Sequence, residues 1–442
     1  MTIVPETRWA TTVDGLSIAY QDFGKGPITL LVVFGWVSHL EVYWEQPRYE
    51  RFMRRLSRSM RVLVFDKRGI GMSDRAGLTA DLETRADDLR AVLDAAGVER
   101  AAIYGWGTGG PPLGAFFAAT YPDRVLALCI DPDIQERRDA DWPFGATAEA
   151  FEAELAEMLA SWGTTATGYD NPITDEALLR WDTRLSRFAA TPTSLEAFHR
   201  AWWDTDVRSI LPTVSVPTLV LAKTDAGWAN PEAAANVAAR IPGAKVAIID
   251  GRESTAWVEE PDAYVSAIES FLASVRDEEA ELDRVLATVL FTDIVDSTAT
   301  AAVMGDTKWR TLIEEHDRLA KATVARYRGT FVRGTGDGML ATFDGPARAI
   351  RCAQILIESM KPLGIEIRTG AHTGEITYGG QDLAGLGVHV AARVASMAGA
   401  SEVWASSTVK DLTAGSGLTF EDAGEHELKG VPDRWRLYRV VA

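Results

Sequence analysis

Two aspartates, each ending an apolar run and each beside backbone able to turn sharply, are the residues of this sequence best suited to chemistry. Asp293 lies in TVLFTDIVDST (Thr288 to Thr298), where Val289, Leu290, Phe291, Ile294 and Val295 read as a buried strand and Ser297 and Thr298 can cap a following helix. Asp337 lies in TFVRGTGDGMLATF (Thr330 to Phe343), where Gly334, Gly336 and Gly338 let strand-like Phe331-Val332 and Met339-Leu340 fold back as a hairpin with Asp337 at its tip. If the strands are neighbours, the two carboxylates meet. Hard divalent ions are held in this way, by one or two carboxylates with substrate phosphates completing the shell. Either aspartate alone reads as a solvated turn residue; the pair, one framed by glycines and the other followed by a helix start, points to a metal.

The elements that position them alternate regularly. Thr307 to Tyr327 has apolar residues at helical spacing, with Asp306 as an N-cap and Gly329 past the end, and the Asp337 hairpin follows. A helix from Pro346 to Met360 and a strand from Ile365 to Glu375 complete a β-α-β-β-α-β order. In GGQDLAGLGVHVAARVASMAG (Gly379 to Gly399) the second half is an amphipathic helix on which His389 and Arg393 share a face.

With these motifs, Ala287 to Val441 resembles the catalytic domain of class III nucleotidyl cyclases. The resemblance implies a ferredoxin-like α+β fold and two Mg²⁺ or Mn²⁺ ions per active site, held by Asp293, Asp337 and the Ile294 carbonyl. Arg393 matches the arginine that stabilises charge on the transferring phosphate, and His389 stands where an asparagine usually orients the ribose. Asp382 takes the place of the residue that accepts from the adenine amino group, which argues for ATP, and Arg333 replaces the usual lysine. Lys429, before a glycine, resembles the triphosphate-binding lysine, although a solvated turn lysine reads nearly as well; Thr298 is placed with the substrate-binding residues. Because the family builds each site from two subunits, a homodimer through this domain is implied.

Before this segment the pattern is that of an α/β sheet. LLVVF (Leu30 to Phe34), VLVFD (Val62 to Asp66), AAIYG (Ala101 to Gly105) and VLALCI (Val125 to Ile130) are short continuous apolar runs separated by helical stretches, which predicts parallel strands covered on both faces. The sheet resumes at PTLVLA (Pro217 to Ala222) and KVAIID (Lys245 to Asp250) after a tryptophan-rich helical insertion. With DKRGIGMSD (Asp66 to Asp74) and the strand–turn–helix AIYGWGTGG (Ala102 to Gly110), this resembles the α/β-hydrolase fold with a helical cap, at about residues 133–212. The family's nucleophile elbow is Gly-x-Ser-x-Gly, and here Gly107 occupies the serine position. Asp225 stands near the acid position, one place early, and Ser254 where the histidine is expected, so the triad is degenerate and hydrolysis is not expected. The pocket is left as a sensor for a small apolar ligand, or its tryptophans are plain cap core.

The 442 residues suit two or three domains: a hydrolase-like one over 1–275, a charged linker over 276–286 and a cyclase-like one over 287–442. With 47% hydrophobic and 24% charged residues, ordinary cores are expected. The net charge of −18 argues against nucleic-acid or anionic-membrane partners, which need a basic surface. Cys129 and Cys352 fall in different domains and are expected as buried free thiols in a reducing compartment. MTIVPETRWA lacks the parts of a signal peptide and no apolar run approaches the ~18 residues of a membrane span, so a cytoplasmic protein without a transmembrane segment is expected. Three functional readings stay open: an adenylyl cyclase with a hydrolase-like regulatory domain; a guanylyl or low-selectivity cyclase; and an esterase or ligand-binding signalling protein whose cyclase domain is silent.

Overall fold

The computed structural model describes residues 4–78, 80–164, 176–252, 255–282, 284–379 and 382–441, and of Trp228, Gly379 and Asp382 the backbone alone. The chain divides into two compact units after Arg276. The charged join falls to the end of the helix Pro261–Leu282 and the first residues of the strand Arg284–Ile294.

In the first unit β1 (Thr7–Thr11), β2 (Ser17–Phe23), β3 (Ile28–Phe34), β4 (Met60–Phe65), β5 (Ala101–Trp106), β6 (Val125–Ile130), β7 (Thr218–Lys223) and β8 (Lys245–Ile249) form one sheet in the order β1-β2-β4-β3-β5-β6-β7-β8. From β4 through β8 the neighbours are parallel, and β5 and β7 are buried along their whole length, which is why they read as unbroken apolar runs. The sheet is not wholly parallel, however. β1 and β2 pair antiparallel, and β2 joins β4 antiparallel. β1, TRWAT, is mostly exposed, so no apolar run marks it in the sequence.

Between β6 and β7 lie the cap helices Ala148–Ser161, Glu176–Ala189 and Pro192–Trp203, the first and third capped by the hydroxyls of Thr147 and Thr191. Trp181 is buried and its Nε1 donates to the Val42 carbonyl oxygen at 2.8 Å, so an indole that fills core space also ties the cap down.

In the second unit β9 (Arg284–Ile294), β10 (Thr330–Gly334), β11 (Gly338–Phe343), β12 (Ile367–Gly379), β13 (Asp382–Ala384), β14 (Val403–Ser406), β15 (Thr419–Glu427) and β16 (Arg434–Val441) form a second sheet. Its order is β10-β11-β9-β12-β14-β16-β15, with β13 paired to β12, and only β12 and β14 run parallel. The helices Asp306–Arg326 and Pro346–Met360 bury Ala320, Val324, Ala349, Cys352, Ala353 and Leu356 in one core with Leu290, Met339 and Ala341. Asp306 is the first residue of its helix rather than the cap, which is Gly305. Cys129 and Cys352 are buried free thiols. Among the described residues no helix is long and apolar enough to cross a membrane.

Candidate active site

Strand register assembles the acid pair. On β9, Asp293 lies opposite Gly338 of β11 on one side and Arg368 of β12 on the other. The Ile294 amide donates to the Asp337 carbonyl oxygen at 2.9 Å, stitching the hairpin tip to the strand one residue beyond Asp293. Gly338 has to lack a side chain, because a Cβ there would sit 1.9 Å from the Thr292 carbonyl oxygen, and Gly336 turns the hairpin at φ +99°. The two strands are therefore neighbours, and both aspartates stand at the same end of the pair.

Each carboxylate already has a donor. Asp293 Oδ2 accepts from Arg368 Nε at 2.8 Å and also from Arg368 Nη2. Asp337 Oδ2 accepts from Ser297 Oγ at 2.5 Å. This corrects the expected capping role of Ser297 and Thr298: the N-cap of the helix Ser297–Met304 is Asp296, at φ +52° and with no side-chain cap bond, while Thr298 is exposed in the first turn. Arg368 went unnoticed in the sequence, where its signal is a lone basic residue inside the strand IEIRTGAHTGE. The two carboxylates and the Ile294 carbonyl are hard oxygen donors that fit Mg²⁺ or Mn²⁺, with phosphate oxygens left to fill the shell. Among the described residues no cluster of three or more His, Cys, Asp or Glu side chains offers a fuller cage.

The second group of expected residues lies on the helix Leu386–Met397. Gly370 of β12 lets this helix approach the sheet, since a Cβ there would lie 2.0 Å from the Ala395 nitrogen. Val390, Ala391, Val394 and Ala395 are buried, which leaves Leu386, His389, Arg393 and Met397 exposed as one stripe. Arg393 Nε donates to the Lys429 carbonyl oxygen at 2.9 Å, joining two residues that the sequence left unconnected. The Lys429 side chain is exposed. Arg333 is exposed on β10, next to an irregularity in the β10–β11 register. Asp382 opens β13 opposite Gly379, and its side chain lies outside the described residues.

In the first unit, β5 turns at Gly107 into the helix Gly110–Thr120. Gly107 keeps φ +65°, and Gly35 passes so near that a Cβ on it would lie 2.1 Å from the Gly107 carbonyl carbon. Space is open around Gly107, where an added Cβ would meet only Gly35 Cα at 3.8 Å and Trp36 N at 3.9 Å, but at φ +65° a side chain is strained. Gly107, Thr108, Asp225 and His199 all line one cavity of about 620 Å³. The Asp225 side chain is 66% exposed and lies 3.8 Å from Arg252. Ser254 lies outside the described residues. His199 comes from the cap, its ring edge-on to Trp36 at 4.9 Å, and burial together with the nearby Lys67 lowers its pKa to about 4.

A base that weak takes up a serine proton poorly. Gly107→Ser, destabilised by the left-handed backbone at that position, is therefore expected as folded protein to hydrolyse p-nitrophenyl acetate no faster than the wild type. A gain above about tenfold, on the scale of a general base's contribution, would overturn this.

Burial also pushes the carboxyls of Asp131 and Asp133 up to about 7, against hydrogen bonds from Tyr264 and Thr108 respectively. A carboxyl whose pKa is higher folded than unfolded stabilises the fold while it is protonated, and that contribution is lost as pH rises through the folded value. Asp133→Asn keeps an acceptor for Thr108 and cannot ionise. Its melting temperature is expected to exceed the wild type's at about pH 8 and to lose most of that advantage at about pH 5. An equal effect at both values would sink the assignment.

Two family models match the chain: one described as alpha/beta hydrolase fold over residues 28–260 and one described as adenylate and guanylate cyclase catalytic domain over residues 280–441. The chain thus belongs to the alpha/beta-hydrolase fold family through its first unit and carries a class III nucleotidyl cyclase catalytic domain as its second. Among curated relatives, a non-heme chloroperoxidase of Streptomyces lividans is 28% identical over 155 residues, which are 34% of this chain and 54% of that protein. "Putative adenylate cyclase 3" of Rhizobium meliloti (strain 1021) is 29% identical over 133 residues, 28% of this chain and 22% of that protein. The chain thus spans about half the length of the first and about a fifth of the second. Among solved structures, an esterase of Exiguobacterium antarcticum superposes with a TM-score of 0.51 at 20% identity, covering 61% of this chain and 100% of that one, a likeness of fold.

Proposed function

We propose that the chain is an adenylyl cyclase that converts ATP to 3′,5′-cyclic AMP and pyrophosphate, acting as a homodimer through its cyclase domain, with the hydrolase-like unit as a non-catalytic regulatory domain. The observation that carries this reading is the register that puts Asp293 and the Asp337 hairpin at one end of β9 and β11.

Asp293, Asp337 and the Ile294 carbonyl would hold two Mg²⁺ or Mn²⁺ ions, which when bound supply positive charge to the triphosphate and acidity to the ribose 3′-hydroxyl. The bond from O3′ to the α-phosphorus forms as the bond to the pyrophosphate oxygen breaks, and charge gathers on the equatorial oxygens. Arg393 meets that charge. Its Nε is committed to the Lys429 carbonyl, so the guanidinium is oriented beforehand and its two terminal nitrogens remain for phosphate. His389, one turn earlier on the same stripe, takes the ribose-orienting place, and Lys429 and Thr298 contribute to nucleotide binding. Asp382 accepts from the adenine amino group and would repel a guanine carbonyl, while Arg333 donates to the base.

A single chain leaves the arginine stripe uncovered. Leu286, Tyr378, Leu386 and Met397 are exposed apolar side chains of this domain, at 67%, 45%, 50% and 38%, and a second copy would cover such a surface. The reading places the protein in the cytoplasm, with its substrate. The test is cyclic nucleotide output from the purified chain with Mn²⁺ or Mg²⁺, ATP beside GTP. Cyclic AMP from ATP, with the GTP product at least about tenfold lower, is the expected result. Comparable products would mean that Arg333 has relaxed base choice, and no product from either would leave a binding protein.

A further inference from the structure

The cavity of the hydrolase-like unit is not the apolar pocket that its tryptophans suggest. About 620 Å³ in volume, it is lined by Asp133, Glu136, Glu154 and Asp182 as well as by indole and phenyl rings. Among its described lining residues the permanently charged base is Arg252, whose side chain is 78% exposed and already lies beside Asp225. Lys67 stands behind the wall, its ammonium given over to the carbonyl oxygens of Phe34, Gly35 and Trp36. The rings are set at varied angles. Trp36 meets Trp162 edge-on at 6.3 Å, Trp142 meets Phe144 edge-on at 4.9 Å, and Phe151 stacks on Trp203 at 4.1 Å. A second, independent sign of an absent donor lies in the same wall: Gln135 Oε1 is a buried acceptor with no hydrogen-bond partner.

Each ligand class can be set against this lining. A carboxylate or phosphate would have to share the cavity with four acids and would find, among the described residues, no cation free to pair with, since Lys67 is given over to carbonyl oxygens. A neutral apolar molecule would offer the acids of the lining neither charge nor a hydrogen bond. An ammonium group brings a charge that favours the ionised acids, is attracted to the faces of the rings, and can donate to Gln135 Oε1. We infer that the cavity is a binding site for an organic ammonium ion, a positively charged amine on an apolar body, held by carboxylates on one side and aromatic faces on the other. Burial holds the carboxyls of Asp133 and Glu136, each beside the Thr108 hydroxyl, above their usual range, so an arriving cation also displaces protons from them.

The experiment uses three probes with one body and three charges: 3-phenylpropylammonium, 3-phenylpropan-1-ol and 3-phenylpropionate. Each is titrated calorimetrically into the full chain at neutral pH without nucleotide, so the outcome does not depend on cyclase activity. The ammonium is expected to bind at least about tenfold more tightly than the alcohol, and the carboxylate not measurably. In the isosteric double variant Asp133→Asn, Glu136→Gln the preference should fall to within about twofold. The comparison within the wild type stands even if that variant fails to fold. Equal or tighter binding of the alcohol or the carboxylate, or no binding of the ammonium at millimolar concentration, overturns the inference. So does an undiminished preference in a folded double variant, because the cation would then be answering to the chain's overall negative charge.

Discussion

Asp337→Ala is expected to lower cyclic AMP output by about 10³-fold or more, the scale on which a preorganised charged group acts in a transition state. The structure allows that loss to be chemical rather than structural. The Asp337 carboxylate accepts from the Ser297 hydroxyl, whereas the hairpin is held by backbone: Thr335 N donates to Gly338 O at 2.9 Å and Ile294 N to Asp337 O at 2.9 Å. An alanine keeps both bonds, and the turn at Gly336 is untouched. Thermal unfolding and circular dichroism should therefore match the wild type while turnover vanishes. Asp337→Asn, which keeps the shape and an acceptor for Ser297 but removes the charge, should lose nearly as much. If either variant kept more than about a tenth of the activity, the oxygen pair would not be the metal site, because a site of two carboxylates cannot spare one.

Much of this arrangement is legible in the residues, for physical reasons that differ from place to place. The strand from Thr288 and the glycine hairpin could be read because burial demands apolar runs and sharp turns demand glycine, and their being neighbours then followed from one untested condition that the register meets. The helix Leu386–Met397 could be read for the same reason, since its buried residues recur at helical spacing. What escaped is what depends on a partner far along the chain. Arg368 reaches Asp293 across 75 positions, and Arg393 reaches the Lys429 carbonyl across 36. Ser297 looked like a cap because a hydroxyl before a helix usually is one, but it is the first residue of the helix, and its hydroxyl donates to Asp337 rather than accepting from the backbone. In the first unit the missing serine was plain, yet the acids around the elbow were not: Asp133 and Glu136 belong to a loop whose sequence looks solvent-facing, and only the fold turns them into a cavity.

Mixing two inactive variants tests the subunit arrangement more sharply than any single substitution. Arg393→Ala removes the group proposed to meet phosphate charge and is expected to reduce turnover about 10²-fold, while Asp337→Ala removes half of the proposed metal site. If each active site takes its metal from one chain and its arginine from the other, a dimer of the two variants has one site doubly damaged and one site intact. Random reassortment of equal amounts makes half of the dimers mixed, so activity should return to roughly a quarter of the wild-type value. The recovery would also answer the objection that Arg393→Ala merely unfolds its helix by releasing the Lys429 carbonyl, because that same chain must supply the working metal face of the mixed dimer. A site built within one chain predicts no recovery at any ratio, since each copy would carry its own defect. The exposed stripe of Leu386, His389, Arg393 and Met397 would then need another covering, and the dimer would be lost from the mechanism while the acid pair remained.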